Sequence, residues 1–311
     1  MIVLTEKTRN LQTNDFRDAV FGSIEKVMKN DSSAVILTND MGAIGLDRIA
    51  TFASERVINV GITEQNMMSV ASGLALNGRT VFVYGIISHI IFRALEQIKL
   101  DICVQNLPVI LVGVGSGLAY GVDGPTHHGT EDVSVLRVLP NITIYNPSDC
   151  MSAAYSIDAA YQTRTPCFIR MDKEVLPNLY NNAEELDSGM MIHGKVGDGV
   201  IISSGIPTWA ALHAQEILDT HKVPVRVIDL LRIKPLSLDS LRQHCKGVKW
   251  IVVIDEATSG GGIDELISRA FVGQKLEFFH SINLGDEFLL GSSKREWAWK
   301  HYGLRGEDIA N

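Results

Sequence analysis

The stretch RVINVGITEQNMMSVASGLALNG, residues 56–78, contains the structural pattern that repeats along this chain. Residues 56–60 have the alternating character and the β-branched side chains typical of a short strand, and the glycine that follows interrupts it. Apolar residues then recur at helical spacing until an Asn-Gly pair ends the helix. Thr63 is predicted to supply an N-cap hydroxyl and Glu64 to lie in the first helical turn, before another strand at residues 80–84.

The same alternation of strand and helix continues on both sides of this unit. Strands are predicted at residues 33–38, 57–60, 81–84, 109–114 and 143–145, and later at 199–203, 225–230 and 249–254. Helices are predicted at residues 13–29, 46–53, 209–221, 238–245 and 263–271. This pattern predicts an α/β fold in which mainly parallel sheets are covered by helices. A polar, aperiodic segment at residues 178–189 separates two consecutive domains, predicted at residues 1–180 and 190–311.

Composition and charge describe an ordinary globular protein and argue against several classes of partner. Of the 311 residues, 46% are hydrophobic and 21% charged, which suffices for a full core. The net charge of −8, with no basic run among the 28 Lys and Arg residues, argues against a nucleic-acid partner. Neither an export leader nor a run of about 20 apolar residues is found, so no membrane association is expected. Four scattered cysteines favour reduced thiols in a cytoplasmic protein.

Considered alone, Glu64 is an acid in the first turn of a helix, where the helix dipole stabilises a carboxylate. The motifs around it support a larger role. NVGITEQN (residues 59–66), RALEQ (93–97) and above all DGPTHHGTED (123–132), in this order and spacing, resemble the pyrimidine-binding domain of transketolases. The resemblance continues to about residue 300, so the chain resembles the C-terminal half of a transketolase encoded as a separate polypeptide.

The resemblance implies that the cofactor is thiamine diphosphate and that Glu64 is catalytic. In the family, a Glu at this position hydrogen-bonds a ring nitrogen of the aminopyrimidine, which the cofactor needs in order to form its reactive species. A carboxylate that shares a proton near neutral pH needs burial beside an apolar ring, because burial disfavours the charged form. Burial must then outweigh the helix dipole, which favours the ionised form by about 0.3–1 kcal/mol.

The wall that holds the cofactor ring departs from the family pattern. The family places a stacking aromatic residue where this chain has Ile90. An isoleucine still buries area against a flat ring but loses the additional ~0.5–1.5 kcal/mol of an aromatic pair. Phe92 or His89 could compensate only if the local backbone allows it, and Ile90 and Phe92 are predicted to bind the cofactor.

The resemblance also implies a sugar site. Asp123 and His127 match family positions that hold sugar hydroxyls near the reacting carbonyl, and His127 is predicted to be catalytic as well. Lys173 occupies the position of an Arg that grips the substrate phosphate, and a Lys binds phosphate without the bidentate fork. A second phosphate contact, a His in the family, corresponds to Gly115. These two changes leave the phosphorylation of the sugar open.

A complete transketolase has a further N-terminal domain that binds the diphosphate through Mg²⁺, and nothing in these residues resembles it. No metal site is predicted within this chain. The resemblance therefore implies a partner, an N-terminal transketolase-like subunit that carries the diphosphate and Mg²⁺ site, in a heterotetramer of two copies of each chain. The predicted function is transfer of a two-carbon ketol unit between small sugars.

Three other functions are compatible with parts of the pattern. These are the β subunit of a 2-oxoacid dehydrogenase, a 1-deoxyxylulose phosphate synthase-like condensation that uses pyruvate, and a non-catalytic subunit kept for assembly or regulation. The motif that contains Asp123 and His127 favours the sugar branch over the first. The presence of Glu64 together with these two residues argues against a non-catalytic subunit.

Overall fold

Two open sheets flanked by helices, with one further two-stranded antiparallel sheet, organise the residues that the computed structural model describes, which are residues 2–6, 8–291 and 294–311. The strands are β1 (Thr13–Asp15), β2 (Val35–Thr38), β3 (Val57–Asn59), β4 (Val81–Ile86), β5 (Val109–Val114), β6 (Thr143–Tyr145), β7 (Cys167–Met171), β8 (Val175–Pro177), β9 (Met191–His193), β10 (Gly199–Ser203), β11 (Val225–Asp229), β12 (Arg232–Lys234), β13 (Trp250–Ile254) and β14 (Phe278–Ile282).

The α-helices are α1 (Phe16–Asn30), α2 (Ile44–Ala53), α3 (Glu64–Leu76), α4 (Ile87–Phe92), α5 (Leu95–Gln97), α6 (Asp132–Leu136), α7 (Cys150–Thr163), α8 (Pro207–Thr220), α9 (Leu238–His244), α10 (Ile263–Ser268), α11 (Arg295–Tyr302) and α12 (Gly306–Ile309). A π-helical segment at Ile98–Cys103 follows α5, and 3-10 segments lie at Ser54–Arg56, Gly121–Asp123 and Glu184–Leu186. Across the parts of the chain described above, every helix is too short or too polar to span a bilayer.

The first sheet has seven strands in the order β12-β6-β7-β5-β4-β2-β3. All neighbours are parallel except β12, which pairs antiparallel with β6 at one edge. The central strand β5 is buried along its whole length, as expected for an apolar strand covered on both faces by helices. The predicted α/β class with mainly parallel sheets is confirmed.

The second sheet has five strands in the order β14-β13-β10-β11-β9, of which only β9 is antiparallel to its neighbour. The strands of the second sheet follow those of the first along the chain, with one exception. One strand from this later part of the chain joins the first sheet. The returning strand is β12, which pairs with β6 through Arg232 and Tyr145. The chain segment that forms the second sheet is therefore tied to the first sheet by the backbone pairing of β12.

Helices α1 and α3 differ in how their first turns are capped. Asp15 caps α1, because its carboxylate accepts hydrogen bonds from the amides of Arg17 and Asp18. The predicted N-cap bond of Thr63 is wrong. Thr63 is the residue before α3, but its hydroxyl donates to the carbonyl of Val60 at 2.9 Å and so caps nothing in the helix.

Several elements were not predicted. Strand β7 lies in the middle of the first sheet, although the charged Arg170 interrupts its apolar pattern. Arg170 is buried because it pairs with Asp132, with Nε 2.8 Å from the carboxylate. Helix α7 and strands β12 and β14 were also missed. A buried charge with a distant partner cannot be recognised from local periodicity.

A buried polar cluster joins the predicted linker to both sheets. The hydroxyl of Tyr180 donates to Asp229 at 2.6 Å, and Ser148 donates to the same carboxylate oxygen. Thr208 donates to the other oxygen at 3.0 Å. Burial raises the pKa of Asp229 to about 7 even though these donors act in the opposite direction. The segment after β8 is thus fixed to the rest of the fold at Tyr180.

All four cysteines are buried and form no disulfide.

Candidate active site

Glu64 is the first residue of α3, and its side chain is only 5% exposed. One carboxylate oxygen, Oε1, accepts a hydrogen bond from Nη1 of Arg93 at 2.6 Å and another from Nδ2 of Asn39 at 2.9 Å. The second oxygen, Oε2, has no hydrogen-bond donor among the residues that the structure describes. The predicted first-turn position and the predicted burial of this acid are confirmed.

An open cavity of about 590 Å³ lies over this carboxylate. It is lined by the two residues before α3, the first turn of α3 and one cation, which are Ile62, Thr63, Glu64, Gln65, Asn66 and Arg93. Ile62 is 70% exposed and gives the rim an apolar side chain. The cavity combines a buried acid, a cation and an exposed apolar side chain, which suits a flat, polar-edged ring.

Asn39 follows β2 and reaches Glu64 because Gly85 of β4 leaves room. A Cβ at position 85 would lie 2.8 Å from Oδ1 of Asn39 and 2.5 Å from Cγ2 of Ile90. Oδ1 of Asn39 is buried and accepts no hydrogen bond from the described residues. Gly85 therefore permits the close packing that brings the amide of Asn39 to the carboxylate.

The two residues predicted to hold the cofactor ring occupy different environments. Ile90 has no exposed surface and packs in the core on α4, against Gly85. Phe92 is 41% exposed at the end of the same helix. Of the two, only Phe92 offers a free surface in this conformation.

The loop with the DGPTHH motif is closed at its base by paired backbone bonds. The amide of Gly117 donates to the carbonyl of Gly129 at 2.8 Å, and the reverse bond is 3.0 Å long. Arg170 donates to the same Gly129 carbonyl at 2.7 Å. The hydroxyl of Ser88 on α4 donates to the carbonyl of Thr126 at 2.7 Å. The loop is thereby held against the helix that follows β4.

Two histidines link the loop to the Glu64 cavity. The rings of His127 and His89 meet edge to face with centroids 5.0 Å apart. Burial lowers the pKa of His89, and the charges of Arg93 and His127 lower it further, while Glu64 acts in the opposite direction. His89 therefore lies within electrostatic reach of both predicted catalytic residues, and the neutral imidazole is favoured. Nδ1 of His127 is 2.9 Å from the Thr126 hydroxyl.

The remaining predicted sugar residues lie around Tyr120. The ammonium of Lys173 is 4.0 Å from the centroid of the Tyr120 ring, and the His127 ring is 5.8 Å away, centroid to centroid. Asp123 is exposed in the 3-10 segment that follows, with its amide bonded to the carbonyl of Tyr120 at 2.8 Å. The structure thus brings His127 and Lys173 to one aromatic ring and places Asp123 three residues further along the same loop.

A cation from the last part of the chain anchors the loop after β5 and the loop after β7. Arg295 on α11 is buried and donates to Asp172 at 2.7 Å and to Glu256 at 2.8 Å. It also donates to the carbonyl of Ser116 at 3.1 Å. Burial acts to raise the pKa of Asp172, but the Arg295 guanidinium and the hydrogen bonds hold it below its ordinary value. Asp172 immediately precedes Lys173, so Arg295 fixes the approach of this lysine.

Sequence reasoning missed Asn39, Tyr120 and Arg295 and gave Arg93 no role. Arg93 belongs to the RALEQ motif, so it is the one of the four that the sequence motifs could have indicated. Asn39 and Tyr120 are near the predicted site only in space, and Arg295 comes from a segment 123 residues after its partner Asp172. No group of three or more His, Cys, Asp or Glu side chains in the described ranges could hold a metal ion.

Known proteins are similar to this chain over both of its domains. The family described as the transketolase pyrimidine-binding domain matches residues 12–178, and the transketolase C-terminal domain matches residues 191–287. One of the subunits of the apulose-4-phosphate transketolase of Phocaeicola vulgatus is 27% identical over 300 residues, which cover 94% of each protein. Transketolase of Homo sapiens is 31% identical over 224 residues, which cover 71% of this chain and 36% of the human protein.

Solved structures show the same fold. A split-gene transketolase described as an inactive β4 tetramer superposes with a TM-score of 0.83 at 24% identity, over 95% of this chain and 96% of that one. Transketolase from Pichia stipitis in complex with sedoheptulose 7-phosphate gives a TM-score of 0.81 at 18% identity, over 99% of this chain and 46% of that one. The chain belongs to the transketolase family of thiamine diphosphate-dependent transferases and carries the family's pyrimidine-binding and C-terminal domains.

Proposed function

We propose that this chain is one subunit of a two-component transketolase that transfers a two-carbon ketol unit between sugars. The observation that carries the proposal is the buried Glu64 carboxylate beside an open cavity, held through Oε1, with no donor from the described residues on Oε2. The length of the match adds support, because a relative named as one of the subunits of an apulose-4-phosphate transketolase aligns with nearly the whole chain. The units proposed for the two domains are residues 1–180 and 190–311.

The residues around the cavity fit the aminopyrimidine of thiamine diphosphate. The cofactor, when bound, supplies the carbanion chemistry that cleaves and forms the carbon-carbon bond. Oε2 of Glu64 would hold or share a proton with a ring nitrogen, while Arg93 and Asn39 keep the carboxylate in one orientation through Oε1. Ile62 and the exposed Phe92 are the apolar side chains available to exclude water from the ring. Ile90 supports this wall from the core.

The loop residues are assigned to the sugar. His127 is proposed to hold or move a proton at the substrate oxygen near the reacting carbon, with its Nδ1 oriented by the Thr126 hydroxyl. Asp123 accepts hydrogen bonds from sugar hydroxyls. Lys173 carries a charge that no acid among the described residues neutralises, and it supplies a cation for an anionic end group such as phosphate.

A partner chain is part of the proposal. An N-terminal transketolase-like subunit would supply the diphosphate and Mg²⁺ site, and the assembly would be a heterotetramer that works in the cytoplasm. Four exposed apolar side chains in or directly beside α3 and the π-helical segment support a covered surface there. They are Ile62, Leu76, Leu100 and Val104, exposed by 70%, 61%, 46% and 66%.

The proposal is tested by mixing this chain with the partner that copurifies with it. We expect the mixture to transfer a two-carbon unit from xylulose 5-phosphate to an aldose phosphate when thiamine diphosphate and Mg²⁺ are present, and each chain alone to be inactive. Apulose 4-phosphate should be tested as a further substrate, because a relative is named as a subunit of an apulose-4-phosphate transketolase. Consumption of pyruvate or another 2-oxoacid without ketol transfer would contradict the proposal and support one of the other thiamine diphosphate reactions.

A further inference from the structure

Gly115 follows β5 with a positive φ of 100°, and an aromatic ring occupies the space beside it. A Cβ at this position would lie 2.4 Å from Cδ2 and 2.5 Å from Cε2 of Tyr120. The ring therefore rests directly on the glycine backbone. No side chain at position 115 could be accommodated unless Tyr120 moved away.

The Tyr120 ring also contacts a cation, the ammonium of Lys173. Nζ of Lys173 lies 4.0 Å from the centre of the Tyr120 ring, well within the range of a cation-π contact. Lys173 is half-buried and forms no ion pair with any residue of the described ranges. A lysine side chain has several rotatable bonds, so a ring that attracts its ammonium reduces the positions available to it.

Tyr120 also contacts the catalytic side of the site. Its ring meets that of His127 at an interplanar angle of 63° with centroids 5.8 Å apart. Tyr120 lies, in addition, on a small cavity of about 110 Å³ that it shares with Arg17 and Tyr84. Arg17 is already paired with Asp15, with Nη2 3.0 Å from the carboxylate. Among the described residues, Lys173 is thus the unneutralised cation beside this ring, and Tyr120 lies in contact with both Lys173 and His127.

We propose that Tyr120 is a specificity-determining residue that positions Lys173 for the anionic end of a sugar phosphate. This inference rests on the proposed function, because it names the substrate class of the same site. The ring holds the ammonium at a fixed distance from His127 and fills the space beside Gly115. Sugars that carry a charged end group at the matching distance are selected over their uncharged counterparts.

The test compares xylulose 5-phosphate with xylulose, which differ only in the phosphate. Dissociation constants for both are measured by calorimetry on the assembled pair of subunits. Tyr120→Leu removes the π face but keeps an apolar side chain of moderate size, and we expect it to weaken xylulose 5-phosphate binding about tenfold, or about 1.4 kcal/mol. Xylulose binding changes less than about twofold, because the uncharged sugar has no contact with the ammonium. Tyr120→Phe keeps the ring and the wild-type preference.

A double-mutant cycle with Lys173→Met identifies the route of the effect. If Tyr120 acts through the ammonium, adding Tyr120→Leu to Lys173→Met causes no further loss of phosphate preference. Equal weakening of both sugars, or a tenfold loss that persists in the Lys173→Met background, would overturn the inference. Transfer activity is recorded in parallel. A pair that shows the predicted binding pattern but transfers nothing contradicts the proposed function and leaves this inference supported.

Discussion

Replacing Glu64 with Gln is expected to reduce the turnover of the reconstituted enzyme by about 10²–10⁴-fold, the usual contribution of a positioned acid or base. The amide preserves the size of the side chain and still accepts the hydrogen bonds that reach Oε1 from Arg93 and Asn39. It cannot hold or share a proton as the carboxyl group does. The loss should therefore appear in kcat rather than in folding or in association with the partner.

The matched control for this change is Glu55→Gln. Glu55 is an exposed acid in the 3-10 segment before β3, 74% exposed and 3.5 Å from Arg56. It should retain wild-type turnover, because it lies outside the cavity. Initial rates of ketol transfer and circular dichroism of both variants give the comparison. Equal turnover of Glu64→Gln and Glu55→Gln would remove Glu64 from the catalytic machinery.

Replacing Arg295 with Met is expected to lower the free energy of unfolding by about 3–5 kcal/mol, because it leaves buried carboxylates without their cation. Asp172 and Glu256 are both buried and both accept hydrogen bonds from Arg295. Glu256 in turn accepts a hydrogen bond from the amide of Leu118 at 3.1 Å, so the loop after β5 loses an anchor as well. Urea unfolding of the purified chain measures the effect.

Arg48→Met provides the control for a surface pair. Arg48 is 2.9 Å from Asp18, and their side chains are 39% and 64% exposed, so its loss should cost at most about 1 kcal/mol. Arg295→Lys keeps the charge but not the planar fork and should fall between the two Met variants. If Arg295→Met unfolds at the same urea concentration as Arg48→Met, the cluster contributes nothing to the fold.

The α/β class and the position of Glu64 could be predicted because both rest on local pattern. Residues 56–78 show the strand, the glycine and the helical spacing within one short segment, and the structure begins α3 at Glu64 as expected. The N-cap hydrogen bond predicted for the Thr63 hydroxyl is wrong because of the local backbone conformation, which the sequence pattern does not show. The backbone before the helix turns so that the hydroxyl reaches the Val60 carbonyl instead of a helical amide.

The parts that could not be predicted depend on partners distant in sequence. Asn39 reaches Glu64 across 25 positions, and Arg295 reaches Asp172 across 123. The ring of Tyr120 reaches the site because the glycine at position 115 leaves room for it. The departures Gly115 and Lys173 were evident in the sequence, yet what fills the resulting space is a property of the folded chain.

This chain is proposed to supply one half of a cofactor site whose other half belongs to a partner. Titration of thiamine diphosphate with Mg²⁺ into the chain alone, the partner alone and their mixture tests this most directly by calorimetry. The predicted result is binding to the mixture at least about hundredfold tighter than to either chain, or about 2.7 kcal/mol. Equally tight binding to this chain alone would contradict the claim.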